Sequence, residues 1–91
     1  MDAALREFRL KRARWRATHR GTKEADLLVG GFAERYLEGM SEAELGWFET
    51  LLEEQDVDIL AWAFGTAAPP PDLDGPMMAR LRARDYIALP G

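Results

Sequence analysis

The sequence predicts an all-α protein, a compact antiparallel bundle of five short helices forming one domain over residues 1–91. Apolar residues recur at spacings of three and four in several stretches, and no alternating apolar and polar run exceeds a few residues. The 91 residues are 47% hydrophobic with three Trp, four Phe and two Tyr, enough for one core. A chain this size buries only about 60 to 65% of its unfolded surface, so each amphipathic face needs a neighbouring helix to cover it.

The first helix is expected over residues 3–19, basic and with a thin apolar stripe of Leu5, Phe8, Leu10 and Trp15, before Gly21 interrupts it. The second, over residues 23–37, aligns Leu28, Phe32 and Tyr36, with Ala25, Val29, Ala33 and Leu37 beside them. Gly30 and Gly31 fall inside it, which implies either a close helix neighbour or a local break. Gly39 ends this helix, and Ser41 with Glu44 three positions on forms a capping box for the third. That helix, to about Gln55, turns Leu45, Phe48, Leu51 and Leu52 inward, with Trp47 flanking. Asp56 or Asp58 is expected to cap a fourth helix that ends at Gly65 and places Leu60, Trp62 and Phe64 in the core. Pro69, Pro70 and Pro71 make residues 66–73 a stiff extended connector. Asp74 is expected to cap the last helix, over residues 74–87, which buries Met77, Met78, Leu81 and Tyr86 and exposes Arg80, Arg82 and Arg84. Pro90 and Gly91 form a frayed end.

No run reaches the roughly 18 to 20 apolar residues of a membrane span, so no membrane insertion is expected. The Arg-rich start could be taken for a transit peptide, but Asp2 and Glu7 argue against it, and a bacterial cytoplasmic location is expected. Cysteine is absent, which excludes disulfides, thiol catalysis and thiolate metal sites. Charge is polarised within a net −4. Residues 1–24 carry eight Lys/Arg against three Asp/Glu, while residues 25–75 carry twelve acids against one base, Arg35. Such a distribution suits a protein partner of complementary charge. The acidic middle and a pI near 4.9 argue against a nucleic-acid partner, although the basic arm with Trp15 offers phosphate and stacking groups.

Candidate catalysts are few. Nucleophilic catalysis needs a nucleophile beside an oriented base. The only Ser is a helix cap, and the only His, His19, lies between Thr18 and Arg20 and reads as a surface residue. Asp56 and Asp58 do not begin a calcium loop, because Ala61 and Ala67 stand where its Gly and Glu would be. Gly30-Gly31 lacks the preceding strand and further glycines of a nucleotide fingerprint. No enzyme activity, catalytic residue, metal or cofactor of its own is expected.

The segment His19-Arg20-Gly21-Thr22-Lys23-Glu24-Ala25-Asp26 packs both charge signs around a glycine at the junction of the first two helices. Acids at a helix start after a glycine turn would account for much of it. Gly21 nevertheless leaves the backbone uncovered, and Arg20 offers a fork of five donors suited to a partner's carboxylate, phosphate or carbonyl.

Residues 20–24 spell RGxxE, followed by Asp26 and Leu27. Leu51-Leu52, then Asp56, Asp58 and Trp62, then Met78, Leu81 and Arg82 follow in order. From about Arg14 to Arg84 the chain resembles the FAD assembly factor SdhE family, called succinate dehydrogenase assembly factor 2 in mitochondria. The resemblance implies a five-helix bundle that binds the flavoprotein subunit of succinate dehydrogenase, and in some members of fumarate reductase. It implies that the bundle promotes linkage of the flavin 8α-methyl carbon to a client histidine, the FAD being held by the client. Carried over by position, Arg20, Gly21 and Glu24 face the client, with His19, Lys23 and Asp26 beside them as partner-binding residues. The alternative reading is a generic adaptor or regulator using the same junction on another protein.

Overall fold

The computed structural model describes residues 2–87, and within them it is all-helical, without a strand. The elements are α1 (Ala3–Thr18), α2 (Lys23–Ala25), a π-helical turn (Asp26–Gly30), α3 (Gly31–Tyr36), a 3-10 turn (Leu37–Gly39), α4 (Glu42–Leu52), α5 (Asp56–Phe64) and α6 (Pro76–Ala83). The run 23–39 is one continuous helical rod, so the described residues form five rods. The expected end at Pro90 and Gly91 lies outside them.

The junction of α1 and α2 is set by local chemistry. Asp2 caps α1 by accepting from the Ala4 N–H, and Thr22 caps α2 by accepting from the Ala25 N–H at 3.2 Å. Within the second rod, Gly30 and Gly31 neither break the helix nor leave it regular. The turn widens to the π form, and the Gly31 N–H reaches the carbonyls of Leu27 and Leu28. The reason is close packing. A Cβ on Gly30 would lie 3.2 Å from Thr18 Cγ2 and 3.4 Å from the Ala17 carbonyl, so the α1 backbone presses directly on the rod.

The face that α1 turns inward is also small. Ala13 and Ala17 are buried and Leu10 packs beside them, whereas Leu5, Phe8 and Trp15 remain 50%, 61% and 61% exposed. The thin apolar stripe expected of α1 is therefore mostly outside the core, because short alanines allow a closer helix approach than Leu or Trp would.

Phe32 sits at the centre, with ring centroids of Tyr36, Trp47, Phe48 and Tyr86 within 5.0 to 6.0 Å. The capping box at Ser41 is complete. Its Oγ accepts from the Glu44 N–H at 3.1 Å, and Glu44 Oε1 accepts from the Ser41 N–H at 2.8 Å. Helix α4 stops at Leu52 rather than near Gln55, because residues 53 and 54 tighten into a turn bonded to Thr50 and Leu51 carbonyls.

Two expected caps differ. Gln55, not an aspartate, occupies the N-cap of α5 and makes no side-chain cap bond, since Asp56 is already inside the helix with another partner. At α6, Gly75 with φ +136 is the N-cap and Pro76 begins the helix, while Asp74 accepts only from the Gly75 N–H. The last helix thus covers 76–83 instead of 74–87, and Tyr86 joins the core from beyond its end. The proline connector is not extended throughout, since the Thr66 and Ala67 N–H groups fold back onto the Ala61 carbonyl and only residues 68–70 carry no turn. The Leu73 and Asp74 N–H groups both donate to the Pro70 carbonyl, which folds Leu73 into the core, where its carbonyl accepts from Trp47 Nε1 at 2.9 Å.

Phe64 is 57% exposed rather than core, and the Arg84 guanidinium lies 4.5 Å from its ring centroid. Trp62 is buried and Leu60 packs partly against the core, as expected. Arg82 is half-buried rather than exposed. It donates to the Trp62 carbonyl at 2.9 Å, which the Gly65 N–H also reaches at 3.3 Å, and Arg84 donates to the Ala63 carbonyl at 3.3 Å, so both arginines cover the C-terminal end of α5.

Candidate functional site

The junction between α1 and α2 consists of an anchored base and a free edge. Arg20 is the anchor. Its side chain is only 9% exposed, and all three guanidinium nitrogens donate within the chain. Nε pairs with Asp56 Oδ1 at 2.7 Å, Nη1 donates to the Leu52 carbonyl at 2.8 Å, and Nη2 to the Glu54 carbonyl at 2.7 Å. One guanidinium therefore closes the C-terminal end of α4 and binds the first residue of α5. Its planar fork reaches three acceptors spread around one plane, whereas an ammonium concentrates its three donors on a single nitrogen. Arg16 reinforces the same end by donating to the Leu52 carbonyl and pairing with Glu53.

From the motif alone the Arg20 donors are expected to face a partner, and in the fold they point inward. The fold also gives Asp56 a purpose that a capping argument did not reach. The signal was present, because Arg20, Leu52 and Asp56 all fall in the motif set that carries the resemblance, but spacing alone could not say that they meet.

Asp26 is anchored as well. Its Oδ1 accepts from the Arg20 backbone N–H at 2.6 Å, which ties the start of the second rod to the residue just after α1. Between them Gly21 takes φ +113, a conformation costly for any residue with a side chain, and a Cβ there would find nothing within 4 Å. The backbone at Gly21 is thus bent back and open to solvent.

The remaining motif residues form the edge. Lys23 and Glu24 are exposed, and neither side chain makes a hydrogen bond or ion pair among the described residues. His19 is exposed too, but ordered. Its ring stacks on Trp15 with centroids 4.3 Å apart and planes 11° from parallel, and Nδ1 lies 2.7 Å from the Trp15 carbonyl. The structure therefore brings His19, Gly21, Lys23 and Glu24 to one exposed turn and places Arg20 and Asp26 beneath it. A neighbouring open groove of about 580 Å³, lined by Thr18, Asp26, Leu27, Gly30, Gly31 and Tyr86 among others, begins at Asp26.

The Thr18 hydroxyl, 3.1 Å from His19 Nδ1, donates to the Arg14 carbonyl at 2.9 Å. Among the described residues, no group of three or more His, Cys, Asp or Glu could hold a metal ion. Likewise, none of their helices is long and apolar enough to cross a membrane. What the arrangement offers is a rigid turn with two uncommitted charges of opposite sign beside an open backbone.

A model of the family described as flavinator of succinate dehydrogenase matches residues 11–85. The chain is similar to the FAD assembly factor SdhE of Acetobacter pasteurianus, with 40% identity over 73 residues, covering 80% of this chain and 67% of that protein. It is also similar to mitochondrial succinate dehydrogenase assembly factor 2. Identity is 48% over 56 residues in Debaryomyces hansenii and 49% over 55 residues in Saccharomyces cerevisiae. Those matches cover 59% and 58% of this chain but only 39% and 34% of the mitochondrial proteins.

Proposed function

This chain belongs to the family of flavinators of succinate dehydrogenase, and on that premise we propose that it assembles the enzyme by holding its flavoprotein subunit at the turn 19–24. The family role is that of an assembly factor for flavinylated succinate dehydrogenase. The finer reading is that His19, Gly21, Lys23 and Glu24 touch the client, while Arg20 and Asp26 hold that edge in shape. FAD is bound by the client and supplies the carbon to which a client histidine becomes linked. This chain contributes no reacting group, works in the bacterial cytoplasm, and accepts the fumarate reductase flavoprotein as a second client.

One observation carries this reading. Arg20, Thr22 and Asp26 are all engaged within the chain, yet Lys23 and Glu24 between them are exposed and uncommitted. A turn this firmly fixed that leaves a Lys and a Glu free is prepared for complementary charges on another surface. Holding client segments in reactive geometry can lower a barrier by several kcal/mol without transfer of any group to the factor.

The test is covalent flavin fluorescence of the flavoprotein on a denaturing gel, from cells lacking this chain and from cells complemented with wild type or Glu24→Ala. Flavin should be lost on deletion, restored by wild type, and poorly restored by Glu24→Ala whose purified form melts like wild type. Unchanged flavin in the deletion strain would instead favour the generic adaptor.

A further inference from the structure

Helix α1 carries a second exposed feature that continues from the turn. Leu5, Phe8, Arg12, Trp15 and His19 follow each other at spacings of three, four, three and four, so they lie along one line on the helix. That line is opposite the buried residues Ala13 and Ala17. Its three large apolar members are 50%, 61% and 61% exposed, and its last member, His19, is stacked on Trp15 beside Gly21.

The cations of α1 divide sharply. Arg6 donates to the Met40 carbonyl, Arg9 pairs with Glu49, Arg14 with Glu38 and Arg16 with Glu53. These four tie α1 to the body, and Lys11 pairs with Glu7 within the helix. Arg12, in the middle of the line, has no hydrogen-bonded partner among the described residues. Glu49 and Glu53 influence it only at longer range and are occupied by Arg9 and Arg16.

We propose that this line is a docking surface for the flavoprotein client, received by an apolar strip on the client with a carboxylate opposite Arg12. The proposal rests on the client reading above and extends that contact from the turn along the length of α1. Three arguments select this occupant. The line runs without interruption into the turn, so one partner can cover both. Arg12 stands at its midpoint, so two copies pairing antiparallel about a two-fold axis would bring Arg12 against Arg12, a repulsive contact. Towards an anionic bilayer three α1 cations are already engaged, Arg9, Arg14 and Arg16 with Glu49, Glu38 and Glu53, and residues 25–75 carry twelve acids against one base.

The experiment is calorimetric titration of the purified flavoprotein subunit with the full chain, using wild type, Phe8→Ser, Arg12→Glu, Arg12→Gln and Glu24→Ala. Phe8→Ser and Arg12→Glu should each weaken binding at least about tenfold, as loss of a central anchor does. Phe8→Ser should melt like wild type because its side chain is outside the core. Arg12→Gln, which removes the charge without setting a like charge near Glu49 and Glu53, is the folded control for Arg12→Glu and should also weaken binding. Arg12→Glu should also flatten the salt dependence between about 0.1 and about 1 M salt. If wild type does not bind the flavoprotein, the client reading falls and this proposal with it. If wild type binds, Glu24→Ala weakens binding and the α1 variants bind like wild type, only the docking surface is overturned. Loss of a dimer in Phe8→Ser by analytical ultracentrifugation would overturn it in favour of self-association. Cosedimentation of wild type but not Phe8→Ser with phosphatidylcholine–phosphatidylserine vesicles would overturn it in favour of a membrane.

Discussion

Arg20 joins three acceptors that lie 32 to 36 residues away. Removing it leaves the Glu54 carbonyl and the partly buried Asp56 carboxylate without their donor and the Leu52 carbonyl with Arg16 alone. Arg20→Ala should therefore destabilise the fold by about 2 to 4 kcal/mol, measured by urea unfolding. Arg20→Lys should recover only part of this, because an ammonium can meet Asp56 but not all three acceptors. Wild-type stability in Arg20→Ala would remove the anchor role and return its donors to a partner. On the proposed client contact, loss of flavinylation in an Arg20 variant reports on shape, whereas loss in Glu24→Ala reports on contact.

At the scale of elements, the two adjacent glycines of the second rod should respond differently to the same change. A Cβ on Gly31 would meet Tyr86 atoms at 3.5 to 3.9 Å, ordinary contact, so Gly31→Ala should stabilise by about 0.5 to 1 kcal/mol through helix propensity. On Gly30 the same methyl meets Thr18 Cγ2 at 3.2 Å and the Ala17 carbonyl at 3.4 Å, so α1 or the Thr18 side chain must give way slightly. Gly30→Ala should gain less than Gly31→Ala, and Thr18→Ser, which removes that methyl, should restore part of the difference in a double-mutant cycle. Equal effects at the two sites would show that α1 yields freely and that the π turn does not depend on its pressure.

Across the whole molecule, arginines act as long-range caps and straps. Arg16 and Arg20 close the end of α4, Arg82 and Arg84 close the end of α5, and Arg9 and Arg16 strap α1 to Glu49 and Glu53. Hydrogen bonds from Arg9 and Arg16 hold the Glu49 and Glu53 carboxyls below the usual range, and the Ser41 backbone N–H does the same for Glu44. A carboxyl with a depressed folded pKa stabilises the fold above its unfolded pKa, and that contribution is lost as pH falls through the folded value. Stability should therefore drop as the medium is acidified below about pH 4.3, with α1 loosening early, as read by hydrogen exchange. The Glu49→Gln, Glu53→Gln double variant should show a shallower acid dependence; an unchanged acid profile would assign the loss to other carboxyls.

The sequence by itself determined the helical class, the capping box at Ser41, the glycine stop at Gly65, the polarised charge and the family. All of these are written in residue types at short spacing, where periodicity and capping chemistry act. It also marked the turn 19–24 as the likeness to be explained. Tertiary structure alone decided that Arg20 and Asp26 serve as the base and that Lys23 and Glu24 remain free. It likewise decided that Asp56 receives Arg20 instead of capping α5, and that Phe64 and the α1 line stay in solvent. The reason is distance along the chain. The partners of Arg20 lie more than thirty residues away, and periodicity cannot say which of two faces of α1 meets the core. That choice went to Ala13 and Ala17, whose small side chains let α1 settle against Gly30 and so left the larger residues Leu5, Phe8 and Trp15 facing outward.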